Sequence, residues 1–297
     1  MLERPPDVTD DEVLGLVHQH WEPRADAVEH LPVGWGAHHW RVDVAGEPTL
    51  FLTLDPDLPR HTLASLEAAY SSAASLDLDF VWPSRPGSSG AYVVALGSRK
   101  ASVTGWLEGS RPTESVAELP SLLAELHAAP RPAGARTWST EVEPRLGDLL
   151  RDLLQQEWSG PLGPAARELV GEHLVQIGTW AREHARLLAL ADPSTYVVTH
   201  GEPHVRNQWL AQGRTWLIDW ESLVLAPRER DLATLVHEGR DVAHDREMVR
   251  LFDLEWRLGE IWSFARWLQG PHVGDADDRT ALGGLTGELT RPHFDEG

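Results

Sequence analysis

The hydrophobic pattern of this chain is mainly strand-like up to about residue 106 and mainly helical beyond it, and that division limits the possible folds more than any other feature. Over 28–31, 40–44, 50–54, 80–82, 91–96 and 101–106 apolar, β-branched and aromatic residues come in short runs, broken by Gly34-Trp35-Gly36, Ala45-Gly46-Glu47-Pro48 and Ser84-Arg85-Pro86-Gly87. Runs of this length between turn residues predict strands joined as antiparallel hairpins. Helical spacing interrupts them at 61–76. An earlier helix is predicted up to about His20, because Thr9-Asp10-Asp11-Glu12 has the form of a capping box ahead of Val13, Leu14, Leu16 and Val17. Beyond Leu107-Glu108-Gly109 the spacing turns helical, at 116–128, 142–158, 165–190, 229–236, 247–268 and, more weakly, 280–289. A sheet portion with one inserted helix followed by a helical portion predicts an α+β chain of two lobes, 1–108 and 109–297.

One island breaks the helical half. The run 196–199, the loop His200-Gly201-Glu202-Pro203-His204-Val205-Arg206-Asn207, and the runs 208–210 and 216–219 read as a strand-loop-strand-turn unit. Polar groups at the tips of short strands are a common setting for chemistry. Composition narrows which chemistry. A formal charge of -20 opposes binding to the phosphate backbone of nucleic acid and suits a neutral or cationic ligand, although an acid excess spread over both halves also serves solubility. The absence of cysteine excludes disulfides, thiolate metal sites and a cysteine nucleophile. Neither a basic start with an apolar stretch behind it nor an apolar run of membrane-spanning length is present, so a cytoplasmic protein without a membrane partner is expected. Among 26 basic residues only Lys100 is a lysine.

Glu202 and Asn207 are separated by four residues, and Asp219 lies twelve further on, behind Trp216-Leu217-Ile218. Protein kinases use this spacing: a carboxylate orients and deprotonates a hydroxyl, while an asparagine one loop-width away and a later aspartate hold magnesium against nucleotide phosphates. His200-Gly201-Glu202-Pro203-His204 with Asn207, followed by Leu217-Ile218-Asp219-Trp220-Glu221, resembles the H-G-D-x-H-x-x-N and I-D-W-E signatures of the aminoglycoside phosphotransferase and choline kinase group. Ala226-Pro227-Arg228-Glu229-Arg230-Asp231-Leu232 is similar to its proline-then-Asp-Leu segment, 122–127 to its first large C-lobe helix, and Pro32-Val33-Gly34-Trp35-Gly36 stands where its glycine-containing nucleotide loop stands.

The resemblance implies a two-lobed protein-kinase-like fold, with a nucleotide-binding N-lobe and a C-lobe that carries the catalytic loop and the acceptor site. It implies Glu202 as general base, His200 as the histidine that braces the loop, and Asn207 and Asp219 as Mg2+ ligands. Gly34, Gly36, Thr53, Glu67, Thr104 and Trp106 fall at its nucleotide-binding positions, with 103–108 as the hinge that receives a purine. ATP or GTP is the expected donor, and a hydroxylated small molecule, such as an antibiotic or other secondary metabolite, the expected acceptor. The oligomeric state is not indicated.

Three departures stand out. Glutamate replaces the family's catalytic aspartate, Val205-Arg206 replaces its proline and glycine, and Thr53 replaces the strand lysine that holds phosphates and pairs with a helix glutamate at the position of Glu67. A hydroxyl supplies neither the charge nor the reach of that lysine, which leaves Arg41, Lys100 or Arg206 as substitutes, or a protein that keeps the cleft to bind or sequester a small molecule. A zinc reading of His200, Glu202 and His204 fails on spacing, because the zinc helix motif has its glutamate directly after the first histidine. His38-His39 could touch phosphate or simply pack, Trp106 and Trp220 could meet a ligand, and Asp152, Glu157, Glu255 and Glu260 form either an acidic acceptor pocket or a solvated face.

Overall fold

The computed structural model describes residues 1–34, 36–56 and 61–293; Trp35 of the glycine segment lies outside them. The chain forms two compact units, Met1–Trp138 with Val197–Ala226, and Ser139–Tyr196 with Pro227–Gly297.

The first unit opens with α1 (Asp10–His20), whose capping box is complete: the Thr9 side chain accepts from the Glu12 amide, and Glu12 accepts from the Thr9 amide. A five-stranded antiparallel sheet follows in the order β1 (Ala27–Leu31), β2 (His38–Val44), β3 (Glu47–Asp55), β5 (Arg99–Gly105), β4 (Val94–Leu96). The two residues between β2 and β3, Ala45 and Gly46, both have positive φ, 55° and 79°, the primed turn that matches the twist of paired strands. Alternation along the strands divides the sheet's chemistry by face. Leu50, Leu52 and Leu54 of β3 pack with Trp40, Val42, Ala101 and Val103 and with Val13, Leu16 and Val17 of α1 in one core cluster. Phe51, Thr53 and Asp55 therefore share the other face, in register with Thr104, Ser102 and Lys100 of β5. Helix α2 (Leu63–Ala74) meets that face through Tyr70, which hydrogen-bonds Ser102.

The helix expected over 142–158 spans only Leu146–Leu153, and two strand expectations shorten as well. The run 80–82 forms only a parallel bridge at Val81 and Leu217, where the Trp82 amide donates to the Leu217 carbonyl (3.1 Å) and the Leu217 amide to the Phe80 carbonyl (2.7 Å). The run 91–96 contracts to β4 because the Tyr92 and Val93 amides donate to Glu67 Oε2 (2.8 and 3.0 Å), which removes them from any ladder.

The rest of the first unit holds α3 (Leu119–Ala128) and two small sheets. Strand β6 (Val197–Thr199) pairs with β9 (Val224–Ala226), and β7 (Gln208–Ala211) with β8 (Arg214–Leu217). Strand β9 has three residues, too few to show a period in the sequence. The segment after β5 is pinned to β7, where Ser110 and Leu210 exchange amide-carbonyl bonds (3.0 and 2.8 Å) and Trp209 Nε1 donates to the Leu107 carbonyl (3.2 Å). A Cβ added to Gly109 would lie 2.3 Å from the Leu210 carbonyl oxygen and 2.7 Å from Trp209 Nε1, so only glycine lets the two backbones approach this closely.

The second unit is helical: α4 (Leu146–Leu153), α5 (Gly163–Leu188), α6 (Glu229–His237), α7 (Arg246–Gln269) and α8 (Ala276–Thr290). Of its four acids named above, Glu255 is tied into the unit, accepting from Thr140 Oγ1 (2.7 Å) and the Glu141 amide (3.0 Å) and facing His184 Nε2 at 2.5 Å. Asp152 and Glu157 are exposed. Among the described residues no helix is long and apolar enough to cross a membrane.

Two glycines should respond in opposite directions to alanine. Gly109→Ala forces backbone against backbone and should destabilise the protein by about 1–3 kcal/mol. Gly15→Ala, inside α1 with open space around its Cα, should stabilise it by roughly 0.5–1 kcal/mol. Urea midpoints of the two variants against the parent check both signs.

Candidate active site

Strand β6 delivers His200 into the interior, where it is fully buried. Its two ring nitrogens face two different segments: Nδ1 accepts from the Glu202 amide (3.3 Å), so Nε2 carries the hydrogen and donates to the Ile218 carbonyl (2.9 Å). The ring also packs against Trp220, centroids 4.5 Å apart. One neutral imidazole thus ties the loop after β6 to the turn after β8. A second tie runs beside it, from the Ile218 amide to the Asn207 carbonyl (3.0 Å).

Those ties bring residues 202, 207 and 219 together. A short 3-10 turn, Val205–Asn207, points Asn207 back across its own loop, so that Nδ2 donates to the Glu202 carbonyl (3.0 Å) and the amide oxygen is turned away from it. Glu202 Oε1 accepts from Ser222 Oγ (3.3 Å), and Oε2 faces His204 Nε2 at 3.7 Å. Asp219 is held at φ 68°, the left-handed region, which costs a non-glycine residue on the order of 1 kcal/mol and persists only where surrounding contacts impose it. Burial, reinforced by the negative charges of Glu202 and Asp55, raises the Asp219 carboxyl to about 7, against a smaller opposing hydrogen bond with Glu221. The carboxylate of Asp219 and the amide oxygen of Asn207 are hard oxygen donors of the kind that Mg2+ prefers. Burial first of all, and then the charges of Asp55, Glu221 and Asp219, push the Tyr70 phenol well above its ordinary value.

Of the nucleotide-binding candidates, Thr53 and Thr104 share one sheet face, Gly34 and Gly36 precede β2, and Glu67 is on α2. Gly34 and Gly36 have φ 75° and 89°, conformations that suit glycine, and a Cβ at Gly34 would meet His39 Nε2 at 2.9 Å. The other nitrogen of that ring, Nδ1, lies 3.3 Å from Thr53 Oγ1, and the ring stacks on Phe51 at 4.9 Å. Burial lowers the His39 pKa to about 3, so the imidazole is neutral near pH 7 and provides no cation where the lysine is missing. Glu67, the expected partner of that lysine, is engaged instead with the Tyr92 and Val93 amides. Arg41 is held bidentately by Asp43 (2.9 and 3.0 Å), and the exposed Arg206 offers its carbonyl to Arg111 Nε (3.2 Å). Lys100 shares the face of Thr53 but stands opposite Asp55. Thr104 is in register with Phe51, and Trp106 lies 6.5 Å from Phe51, with its Nε1 bonded to Glu108 Oε2 (3.1 Å). In the hinge the Trp106 amide already donates to the Thr49 carbonyl (2.9 Å), and the Gly105 carbonyl accepts from Trp82 Nε1 (3.0 Å).

Sequence reading missed Asp55, His61, Glu221 and Ser222. Glu221 closes the motif singled out at Asp219 but had been given no role, Ser222 directly follows it, and Asp55 is an acid that ends an apolar run on the face of Thr53. Only register and burial show that these residues reach the same centre.

Residues 28–268 match the phosphotransferase enzyme family. A stretch of 96 residues is 38% identical to Protein StrN of Streptomyces griseus, covering 32% of this chain and 30% of that protein, so the match spans less than a third of the relative's length. The fold resembles spectinomycin phosphotransferase APH(9)-Ia in complex with ADP and spectinomycin, at a TM-score of 0.69, 14% identity and 97% coverage of both chains. It also resembles a microcompartment-associated aminopropanol kinase, at a TM-score of 0.60, 17% identity and 95% coverage of both. The five-stranded sheet with its inserted helix, the helical remainder and a family match over most of its length show that this chain has a protein-kinase-like fold and belongs to the phosphotransferase enzyme family.

Proposed function

We infer that the protein transfers the terminal phosphoryl group of ATP or GTP to a hydroxyl of a small molecule, with an antibiotic or related secondary metabolite as the favoured acceptor. The observation that carries this reading is the gathering of Glu202, Asn207 and Asp219 around His200, three residues at kinase spacing held by bonds between two segments. Glu202 orients the acceptor hydroxyl and takes its proton as the hydroxyl oxygen bonds to the terminal phosphorus. The bond from that phosphorus to the bridging oxygen breaks, and the nucleoside diphosphate leaves with the electron pair. Asn207 and Asp219 would hold Mg2+, which neutralises charge on the phosphate oxygens. Gly34 and Gly36 would approach the phosphates through backbone, while Phe51, Thr104 and Trp106 would line the purine side. Structural relatives that carry ADP with spectinomycin, and AMP, support the nucleotide and the class of acceptor. Residues 1–108 would then serve nucleotide binding and 109–297 acceptor binding, in a cytoplasmic enzyme.

A second reading has its own observation. Thr53 is bonded to a neutral histidine and Glu67 to backbone amides, so the lysine pair that grips phosphates in the family is replaced on both sides. A protein built this way could keep the cleft to sequester a small molecule. Calorimetric titration with ATP and GTP, with and without magnesium, separates the two: micromolar, magnesium-dependent binding supports transfer, and its absence supports sequestration.

Against a panel of hydroxylated metabolites, Glu202→Ala should lower kcat by roughly a hundredfold to ten-thousandfold; a variant as active as the parent refutes the assignment. The Asp219 carboxyl yields a pH dependence. Folding raises its pKa from 3.8 to about 7, so the folded protein binds this proton more tightly than the unfolded chain does. That contribution to stability is complete below the unfolded value and is lost as pH rises through the folded one. Metal-free Asp219→Asn should therefore gain thermal stability relative to the parent on going from pH 5 to pH 8. Magnesium affinity of the parent should climb between pH 6 and pH 8 as the competing proton leaves, a slope that the variant lacks.

A further inference from the structure

Asp55 ends β3 with its side chain 1% exposed, and neither of its carboxylate oxygens has a hydrogen-bond partner. A buried carboxylate in that condition is costly unless something unseen compensates it. His61, 8% exposed, faces it: Nδ1 is 3.5 Å from Asp55 Oδ1 and is itself without a hydrogen bond, while Nε2 is 3.6 Å from Glu221 Oε1. One ligand atom from each of Asp55, His61 and Glu221 lies within 4.8 Å of the others. Separations of 3.5 and 3.6 Å are too long for hydrogen bonds but close to the edge between two ligands, each about 2.1 Å from one ion. Lys100 stands opposite Asp55 across the β3–β5 ladder, yet does not satisfy its oxygens.

We propose that Asp55, His61 and Glu221 form a second cation site, distinct from the pair Asn207 and Asp219, which takes a divalent transition-metal ion such as Mn2+ or Zn2+. The donor set supports that class, because an imidazole beside two carboxylates favours borderline transition metals over Mg2+ or Ca2+, which take oxygen alone. The site stands on its own geometry, whereas its use rests on the phosphotransferase reading. Asp55 is two residues beyond Thr53 on the same face of one strand, roughly 7 Å along it. Glu221 hydrogen-bonds Asp219, so an ion held here sits beside the proposed magnesium site. Thr53 removed a positive charge from this face, and the second ion returns one.

The experiment uses chelator-treated full-length protein without nucleotide, so its outcome does not depend on whether the protein transfers phosphate. Mn2+ is titrated by the electron paramagnetic resonance of the free ion, and Zn2+ by equilibrium dialysis. The parent and Asn207→Ala should both retain a bound ion, and Asp55→Asn and His61→Gln should each weaken it at least tenfold. Pulsed spectra of bound Mn2+ should show coupling to an imidazole nitrogen that His61→Gln abolishes. As a check that does not need the metal, Asp55→Asn in chelator should melt at a higher temperature than the parent, since it removes a buried charge without a partner. Titrations alike in parent, Asp55→Asn and His61→Gln overturn the proposal. So does a metal-free Asp55→Asn or Lys100→Met that melts well below the parent while metal leaves the parent's melting unchanged, because Asp55 is then the counter-ion of a protein cation.

Discussion

The candidate site depends on the two hydrogen bonds of one buried imidazole. His200 accepts at Nδ1 from the loop that carries Glu202 and donates at Nε2 to the turn that carries Asp219. Only a neutral ring with its hydrogen on Nε2 does both. A protonated ring would leave the Glu202 amide without an acceptor, and a ring in the other tautomer would leave the Ile218 carbonyl without a donor. The Trp220 indole packed against the ring, and bonded through Nε1 to the Leu217 carbonyl (2.9 Å), limits its rotation. The strained backbone of Asp219 is sustained by the same contacts.

Charge is the second organising constraint. Glu202, Asp55 and Glu221 all act on the buried Asp219, and the imidazole of His39 is neutral. A protein that folds around such a concentration of acid is prepared for cations. The shift of Asp219 toward neutrality is the response of the metal-free chain, and metal binding would reverse it by favouring the charged carboxylate. The loss of the strand lysine belongs to the same pattern, because His39 and Thr53 now bond each other and Glu67 serves two backbone amides. The substitution is thus absorbed by a rearranged set of partners.

Much of this was legible in the sequence. The capping box at Thr9, the hairpins of the sheet, the helix carrying Glu67 and the island from 196 to 219 followed from local rules whose partners lie within a few residues. The spacing of Glu202, Asn207 and Asp219 was legible because a catalytic loop is itself a local object. What escaped was whatever required knowing which segments touch. The run 91–96 had the composition of a strand, but Glu67, about 25 residues earlier in the chain, captures two of its amides. Strand β9 exists because β6 pairs with it, a partner 27 residues away at Val198 and Leu225.

The amino-acid sequence by itself determined the order of sheet and helices, the family resemblance, the absence of a lysine at position 53, and the identity of the three side chains at the candidate centre. Those follow from residue types and short spacings, which the chain carries in any conformation. Only the tertiary structure decided that Asp55, His61 and Glu221 converge, that the oxygens of Asp55 lack partners, and that His39 is neutral. These are properties of burial and distance between residues as far apart as 55 and 221, and no local rule contains them.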